Sequence, residues 1–224
     1  MKHLPYLGRT GLIGDVHGEA RLLKRVIQFL HHQGATTLLC TGDVTDGFGD
    51  VDTCFELLQK HRVYTVLGNH DRWCIDGELR NRPECTIYNQ LSAGSQQFLQ
   101  QLPKTREFRT TNGNALLCHG IGHNDMGKIL PGDRLHALKH HRDLKAILSS
   151  QRYRYLLNGH SHYRMVHQLE SLTIVNAGTI RSDHQPGFVL IDFEHDWARG
   201  YDIAEGHRIS EAEPLLMPAA IAAS

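Results

Sequence analysis

Five short motifs follow one another along the chain: Asp15-Val16-His17, Gly42-Asp43-Val44-Thr45-Asp46, Gly68-Asn69-His70-Asp71, His119-Gly120 and Gly159-His160-Ser161-His162. Between them they hold two aspartates, one asparagine and four histidines able to ligate metal, with the pair His70-Asp71 alongside. Carboxylate, amide and imidazole donors without thiolates suit a pair of hard or borderline divalent cations. The chemistry they point to is metal-assisted hydrolysis.

Each donor has a reason to be the residue it is. A carboxylate that bridges two cations lets them sit roughly 3.5–4 Å apart, and Asp43 is the candidate bridge. Gly42 before it carries no side chain, so its loop can approach the ions closely. Asp15 and His17 are two apart and can converge on one metal. His160 and His162 share that spacing and can serve one metal each. Asn69 offers a neutral carbonyl oxygen, and His119 completes the second metal. His70 adjoins Asn69 and can point back over the site to protonate a leaving oxygen. Asp71 is expected to orient its ring. Asp46 reads instead as a cap or turn residue. The histidines outside the motifs, among them His61, His123, His184 and His195, read as surface or satisfied core residues.

These motifs need strands and loops to place them, and the hydropathy pattern supplies both. Strands are predicted at residues 10–14, 37–41 and 63–67, ending at Asp15, Gly42-Asp43 and Gly68-Asn69. Helices between them span 19–33 and 52–61. This βαβαβ opening predicts parallel strands with right-handed crossovers. Residues 72–91 have no clear period, and 72–106 read as an irregular insertion walling the substrate cleft, with a short helix at 94–102. A hairpin turning at Asn112-Gly113 joins strands at 107–111 and 114–118, the second ending at His119. A helix at 133–149 precedes a strand at 153–157 that leads into Gly159-His160. Strands at 172–175, 188–193 and 198–203 read as an antiparallel meander. Parallel strands first and a meander last predict two sheets face to face with helices outside. The pattern stops near residue 204, so 1–204 reads as one domain and 205–224 as a C-terminal tail.

The bulk composition narrows the class. The 224 residues suffice for one well-packed domain, and 24 Lys+Arg balance 24 Asp+Glu. No global basic field argues for a long nucleic-acid footprint. The five cysteines are odd in number and show no CxxC spacing. That argues against a disulfide framework or zinc knuckle and favours reduced, buried thiols. No apolar run is long enough to span a membrane and MKHLPYLGRT lacks a signal-peptide core, so a cytoplasmic protein is expected.

The motif series resembles the calcineurin-like metallophosphoesterase superfamily, whose D-x-H, G-D-x-x-D, G-N-H-[DE], H-[GA] and G-H-x-H pattern is present without a gap over about residues 12–162. A later Asn176-Ala177-Gly178 is similar to the family's N-x-G turn. The resemblance implies an α/β fold, a four-layer αββα sandwich of two mixed β-sheets flanked by helices. It implies two divalent metal ions, manganese foremost, with iron, zinc, nickel or cobalt as alternatives. One would be held by Asp15, His17, Asp43 and His162, the other by Asp43, Asn69, His119 and His160. His70 would be the general acid, supported by Asp71.

The arginine that follows the second aspartate in the related protein phosphatases and dinucleoside tetraphosphatases is Gly47 here. Arg72 and Arg181 are then the candidates for a substitute phosphate anchor. The length and the GNHD form look like the small bacterial and archaeal phosphodiesterases of the superfamily. The expectation is a phosphodiesterase acting on a phosphate ester, a nucleotide or nucleic-acid end among the candidates. A metal-bridging hydroxide would be the nucleophile and His70 the acid. The alternatives are phosphomonoesterase or protein-phosphatase-like activity, or a non-catalytic protein-binding scaffold such as a retromer subunit that resembles the fold.

Overall fold

The structure, a computed structural model, describes residues 4–78 and 82–215. Strand β1 (Arg9–Ile13) shows how the layers arise. Leu12 points into one buried cluster and Ile13 into another, as the two-residue period of a strand requires. The same alternation recurs in β5 (Gly113–Cys118): Ala115 and Leu117 face the first of these clusters, and Leu116 and Cys118 face a third. The shared cluster therefore lies between two sheets, and the other two lie outside them.

The first sheet contains β1, β2 (Thr37–Cys40) and β3 (Tyr64–Thr65) in parallel, then β9 (Gly187–Asp192), β10 (Trp197–Ala204) and β11 (Arg208–Leu215) antiparallel. Its order is β11-β10-β9-β1-β2-β3. The second has order β4-β5-β6-β8-β7, with β5, β6 (Tyr153–Asn158) and β8 (Leu172–Ala177) parallel. Its outer strands β4 (Thr105–Thr110) and β7 (Arg164–Leu169) run antiparallel. Both sheets are thus mixed.

Helix α1 (Ala20–His32) buries Leu22, Leu23, Val26, Ile27 and Leu30 as one stripe against the first sheet, joined by α2 (Val51–Lys60). Helices α5 (Leu135–His140) and α6 (Arg142–Ser150) cover the second, where Leu138 and Leu144 enter the core. The result is the expected four-layer αββα sandwich. Among the described residues no helix is long and apolar enough to cross a membrane.

Four features depart from the sequence reading. Residues 172–175 do not join the closing meander: β8 runs parallel to β6 in the second sheet, and the meander is β9-β10-β11. The expected tail contains β11, paired with β10 from Arg208 opposite Ala204 to Leu215 opposite Ala198. Residues 216–224 lie outside the described residues. The expected insertion opens inside a helix not foreseen, α3 (Asn69–Asp76), while its short helix is α4 (Ala93–Gln100) as read; 79–81 lie outside the described residues. The single helix expected at 133–149 is two, parted at His141, whose ψ of 120° is extended.

Candidate metal centre

The carboxyl ends of the parallel strands of both sheets meet at one edge, where open α/β sheets bind their ligands. β1 runs through Gly14 to Asp15, and β2 through Thr41 and Gly42 to Asp43. β5 ends just before His119, and β6 leads through Gly159 to His160. Asn69 opens α3. The loops are laced together by main chain. Val16 and His17 N–H both donate to the Asp43 carbonyl at 2.9 Å, and Ile180 N–H donates to the Asp15 carbonyl.

The fit is tight enough to exclude other residues at the glycines. A Cβ on Gly159 would meet Oδ1 of Asp15 at 2.5 Å, and one on Gly68 would collide with the Asp43 carboxylate. His17, Asp43, Asp46, His160 and His162 all hold φ between 47° and 65°. This left-handed backbone costs about 1–3 kcal/mol at a non-glycine residue and gathers where a site needs it.

The seven expected ligands fall into two groups. Ligand atoms of Asp15, His17 and His162 lie within 4.8 Å of one another, as do those of Asp43, His119 and His160. Asn69 joins the second group, its Oδ1 2.9 Å from Nε2 of His119. Asp15, Asp43, Asn69 and His119 are almost fully buried.

Hydrogen bonds fix which atom two of the histidines offer. Nδ1 of His17 donates to the Asp46 carbonyl at 2.8 Å, and Nδ1 of His119 donates to the Thr41 carbonyl at 2.8 Å. Both Nε2 lone pairs therefore face inward. Nε2 of His17 meets Nε2 of His162 at 3.4 Å, and Nε2 of His119 meets Oδ2 of Asp43 at 3.2 Å as well as Asn69. Nε2 of His160 is buried without a hydrogen-bond partner, and the nearest polar side chain to Oδ2 of Asp15 is the ligand candidate His162, whose Nε2 lies 3.0 Å away. Acceptors facing acceptors in a buried space are what a cation needs, and they fit divalent metal ions.

The electrostatics agree. Burial pushes the Asp43 carboxyl up, but His119, His70 and His17 outweigh it and hold the group well below the carboxylate range. Asp15 is likewise lowered, His119 and His162 overcoming burial. Burial lowers His17, and burial with the adjacent His119 takes His160 down to about 4. For His119 burial is outweighed by Asp43 and Asp15, and the ring rises to about 10. Between acidic oxygens that ring attracts positive charge, whether a proton or a metal ion supplies it.

His70 sits at the rim, its side chain 19% exposed, with Nε2 3.9 Å from Oδ2 of Asp43. Its Nδ1 pairs with Oδ2 of Asp46 at 2.8 Å. Asp71 is therefore not the group that orients His70, and Asp46 is more than a turn residue. Successive helical residues project about 100° apart, so Asp71 cannot turn onto its neighbour's ring. It points down instead. Oδ1 accepts from Val44 N–H, Thr45 N–H and the Thr45 hydroxyl, and Oδ2 from Gly68 N–H. Burial and the nearby Asp43 push Asp71 up to about 6. Asp46 is itself held by Thr86: its Oδ1 accepts from Thr86 N–H at 2.7 Å, and its N–H donates to the Thr86 hydroxyl at 2.8 Å. Residues 84–86 of the expected insertion thus border the site.

Neither candidate phosphate anchor stands free. Arg72 grips Asp125 through Nε at 2.6 Å and Nη2 at 3.3 Å. Arg181 grips Asp183 at 2.7 and 3.0 Å.

Residues 9–196 match the calcineurin-like phosphoesterase superfamily domain. An uncharacterized protein of Methanocaldococcus jannaschii, MJ0912, is 22% identical over 192 residues, 80% of this chain and 72% of its own. A hypothetical protein of Pyrococcus horikoshii, PH1004, superposes with a TM-score of 0.67 at 15% identity, over 94% of this chain and 89% of its own. Vacuolar protein sorting 29 of Cryptosporidium parvum gives 0.59 at 22% identity, over 92% and 95%. A structure described as a novel archaeal phosphodiesterase gives 0.54 at 14% identity, over 87% and 99%. At these identities the structural likenesses establish the shared fold.

Proposed function

The chain belongs to the calcineurin-like phosphoesterase superfamily, a family of metal-dependent hydrolases, and from that premise we propose that it is a dinuclear phosphodiesterase. Asp15, His17, Asp43 and His162 would hold one divalent ion, and Asp43, Asn69, His119 and His160 the other. Manganese is the first choice. The observation that carries this reading is His119: its Nδ1 is committed to the Thr41 carbonyl while Nε2 faces the oxygens of Asn69 and Asp43. Bound there, two divalent ions supply Lewis acidity, lowering the pKa of a water and offsetting charge on the phosphoryl oxygens.

The chain's own residues do the rest. The carbonyls of Asp46 and Thr41 lock the rings of His17 and His119. Asp46 fixes Nδ1 of His70, which leaves Nε2 at the rim as the atom that passes a proton to the leaving oxygen. A diester is preferred on charge grounds. A monoester dianion calls for an added cation, and Arg72 and Arg181 already serve Asp125 and Asp183. A diester monoanion needs no such partner. The fold-level likeness to an archaeal phosphodiesterase is in line with this. Cys40, Cys54, Cys74 and Cys118 are buried thiols, which suits a reducing cytoplasm.

The test is hydrolysis of bis-p-nitrophenyl phosphate against p-nitrophenyl phosphate by metal-stripped protein reloaded with manganese, with Asp43→Ala as control. Faster, Asp43-dependent diester turnover at two ions per chain supports the proposal. Faster monoester turnover replaces it with a phosphomonoesterase. No turnover with both ions bound favours a protein-binding scaffold on this fold.

A further inference from the structure

Beside the metal centre, a hollow of about 460 Å³ is lined by Ser161, His162, Tyr163, Asp183, His184 and Gln185. The expected roles use only His162 among these. The hollow is within the size range of small-molecule sites and opens directly off a metal ligand.

Besides the ligand candidate His162, its two ring-bearing members differ in kind. His184 is a built wall. Its ring stands edge-on to His162 at 4.7 Å between centroids, and its Nδ1 pairs with Asp183 at 3.0 Å. Asp183 is in turn gripped by Nε and Nη2 of Arg181. Glu19 holds the next residue, Ser182, through its N–H and its hydroxyl. The side chains of Glu19, Arg181, Asp183 and His184 thus hold this loop. Tyr163 is the opposite case: it is 53% exposed and makes no hydrogen bond or ring contact with any described residue. A large apolar ring left open beside a fixed imidazole offers a stacking surface. Gln185, also exposed, brings an amide that can both donate and accept.

We propose that this hollow receives the nucleobase of a nucleoside phosphate ester, stacked on Tyr163 with His184 as the opposing wall. The proposal rests on the phosphoesterase reading, because the phosphate must sit at the metal centre. It narrows the substrate class from phosphate esters to nucleotides. Tyr163 follows His162 directly, so its Cα lies about 3.8 Å from that of the ligand. A group attached to the bound phosphorus reaches it through one sugar. Asp183 takes no base, since its oxygens are spent on Arg181 and His184.

The test is calorimetric titration of manganese-loaded protein with adenosine 5′-monophosphate, the product that a nucleoside diester would leave, and with ribose 5-phosphate, which carries a hydroxyl in place of the base. Stacking of one base is worth about 1–3 kcal/mol, or roughly 5- to 150-fold in affinity. The wild type should bind the nucleotide tighter by such a factor. Tyr163→Ala should bring the nucleotide down to the sugar phosphate without moving the latter, and Tyr163→Phe should keep the preference. Equal affinities in the wild type, no binding of either, or a preference that survives Tyr163→Ala would overturn the proposal. Failure of the phosphoesterase reading shows separately, as absent manganese-dependent hydrolysis of the nitrophenyl esters.

Discussion

Oδ2 of Asp46 lies 2.8 Å from Nδ1 of His70, whereas Asp71, adjacent to His70 in sequence, spends both its oxygens on residues 44, 45 and 68. Two carboxylates, each the last residue of its motif, thus divide two tasks: one aims the rim histidine, the other ties the GNHD helix to the Asp43 loop.

Replacing His70 with Ala should lower kcat by about 10²–10⁴-fold, the usual worth of a positioned acid or base. Metal content should not change. The loss should be greatest for esters with poor leaving groups, because only these need a proton on the departing oxygen. A series of aryl diesters of graded leaving-group pKa reads this directly, and a flat loss across the series would remove His70 from the acid role.

Asp46→Asn keeps the size of the side chain and removes its charge. It should cost about 10–100-fold in kcat, as loss of a partner behind a working histidine does. The leaving-group dependence should steepen in the same sense as in His70→Ala. The double variant Asp46→Asn/His70→Ala should be no slower than His70→Ala alone, since the aspartate acts through the ring. Additive losses would show that Asp46 has a separate task.

Asp71→Ala should behave differently. It leaves two main-chain N–H groups of the Asp43 loop and that of Gly68 without their carboxylate. Buried bonds to a charged group are worth about 1.5–3 kcal/mol each, so a loss of several kcal/mol in stability is expected. Chemical denaturation should show it. Activity per metal-loaded molecule should keep the wild-type leaving-group dependence, because His70 still has Asp46.

Much of this was legible before the structure. β1, β2, β5 and β6 are short apolar runs that stop at glycine or a polar residue, and each stop delivers an expected ligand: Asp15, Asp43, His119, His160. What sequence hid has physical reasons. Helix α3 buries only Asn69, Asp71 and Cys74, so it shows no apolar stripe and is anchored by Asp71 at its start. Strand β7 buries only Met165 and Leu169, and β8 is apolar enough to join either sheet. The role of Asp46 depends on a turn with φ of 61°, which no periodicity reports.

Metal removal should cost stability as well as activity. Nε2 of His160 is buried without a partner, and a bound ion would satisfy it. An ion present at 100 times its Kd stabilises by about 2.7 kcal/mol, which in a chain this size raises Tm by roughly 5–10 °C. Manganese added to stripped protein should produce that rise, and Asp43→Ala should abolish most of it. An unchanged midpoint across a manganese titration would mean that these residues do not hold the metal.

The far end of the sandwich offers a test of how the two sheets are joined. The Tyr155 hydroxyl donates to Oδ1 of Asp196 at 2.8 Å, and the Asn112 amide donates to Oδ2 at 2.7 Å. Asp196, in the turn between β9 and β10, thereby meets β6 and the β4-β5 hairpin of the opposite sheet. Burial and the Asp196 hydrogen bond push the Tyr155 hydroxyl from 10 up to about 12. A group raised in the folded state stabilises fully below its unfolded pKa, and that contribution disappears as pH climbs through the folded one. Tyr155→Phe should therefore cost about 1.5–3 kcal/mol near neutral pH, the worth of a hydrogen bond to a charged acceptor. Between pH 10 and 12 the wild type should lose this advantage and the two stability curves should converge. Denaturation midpoints across that range decide it: curves that stay parallel would mean that the hydroxyl does not couple the sheets.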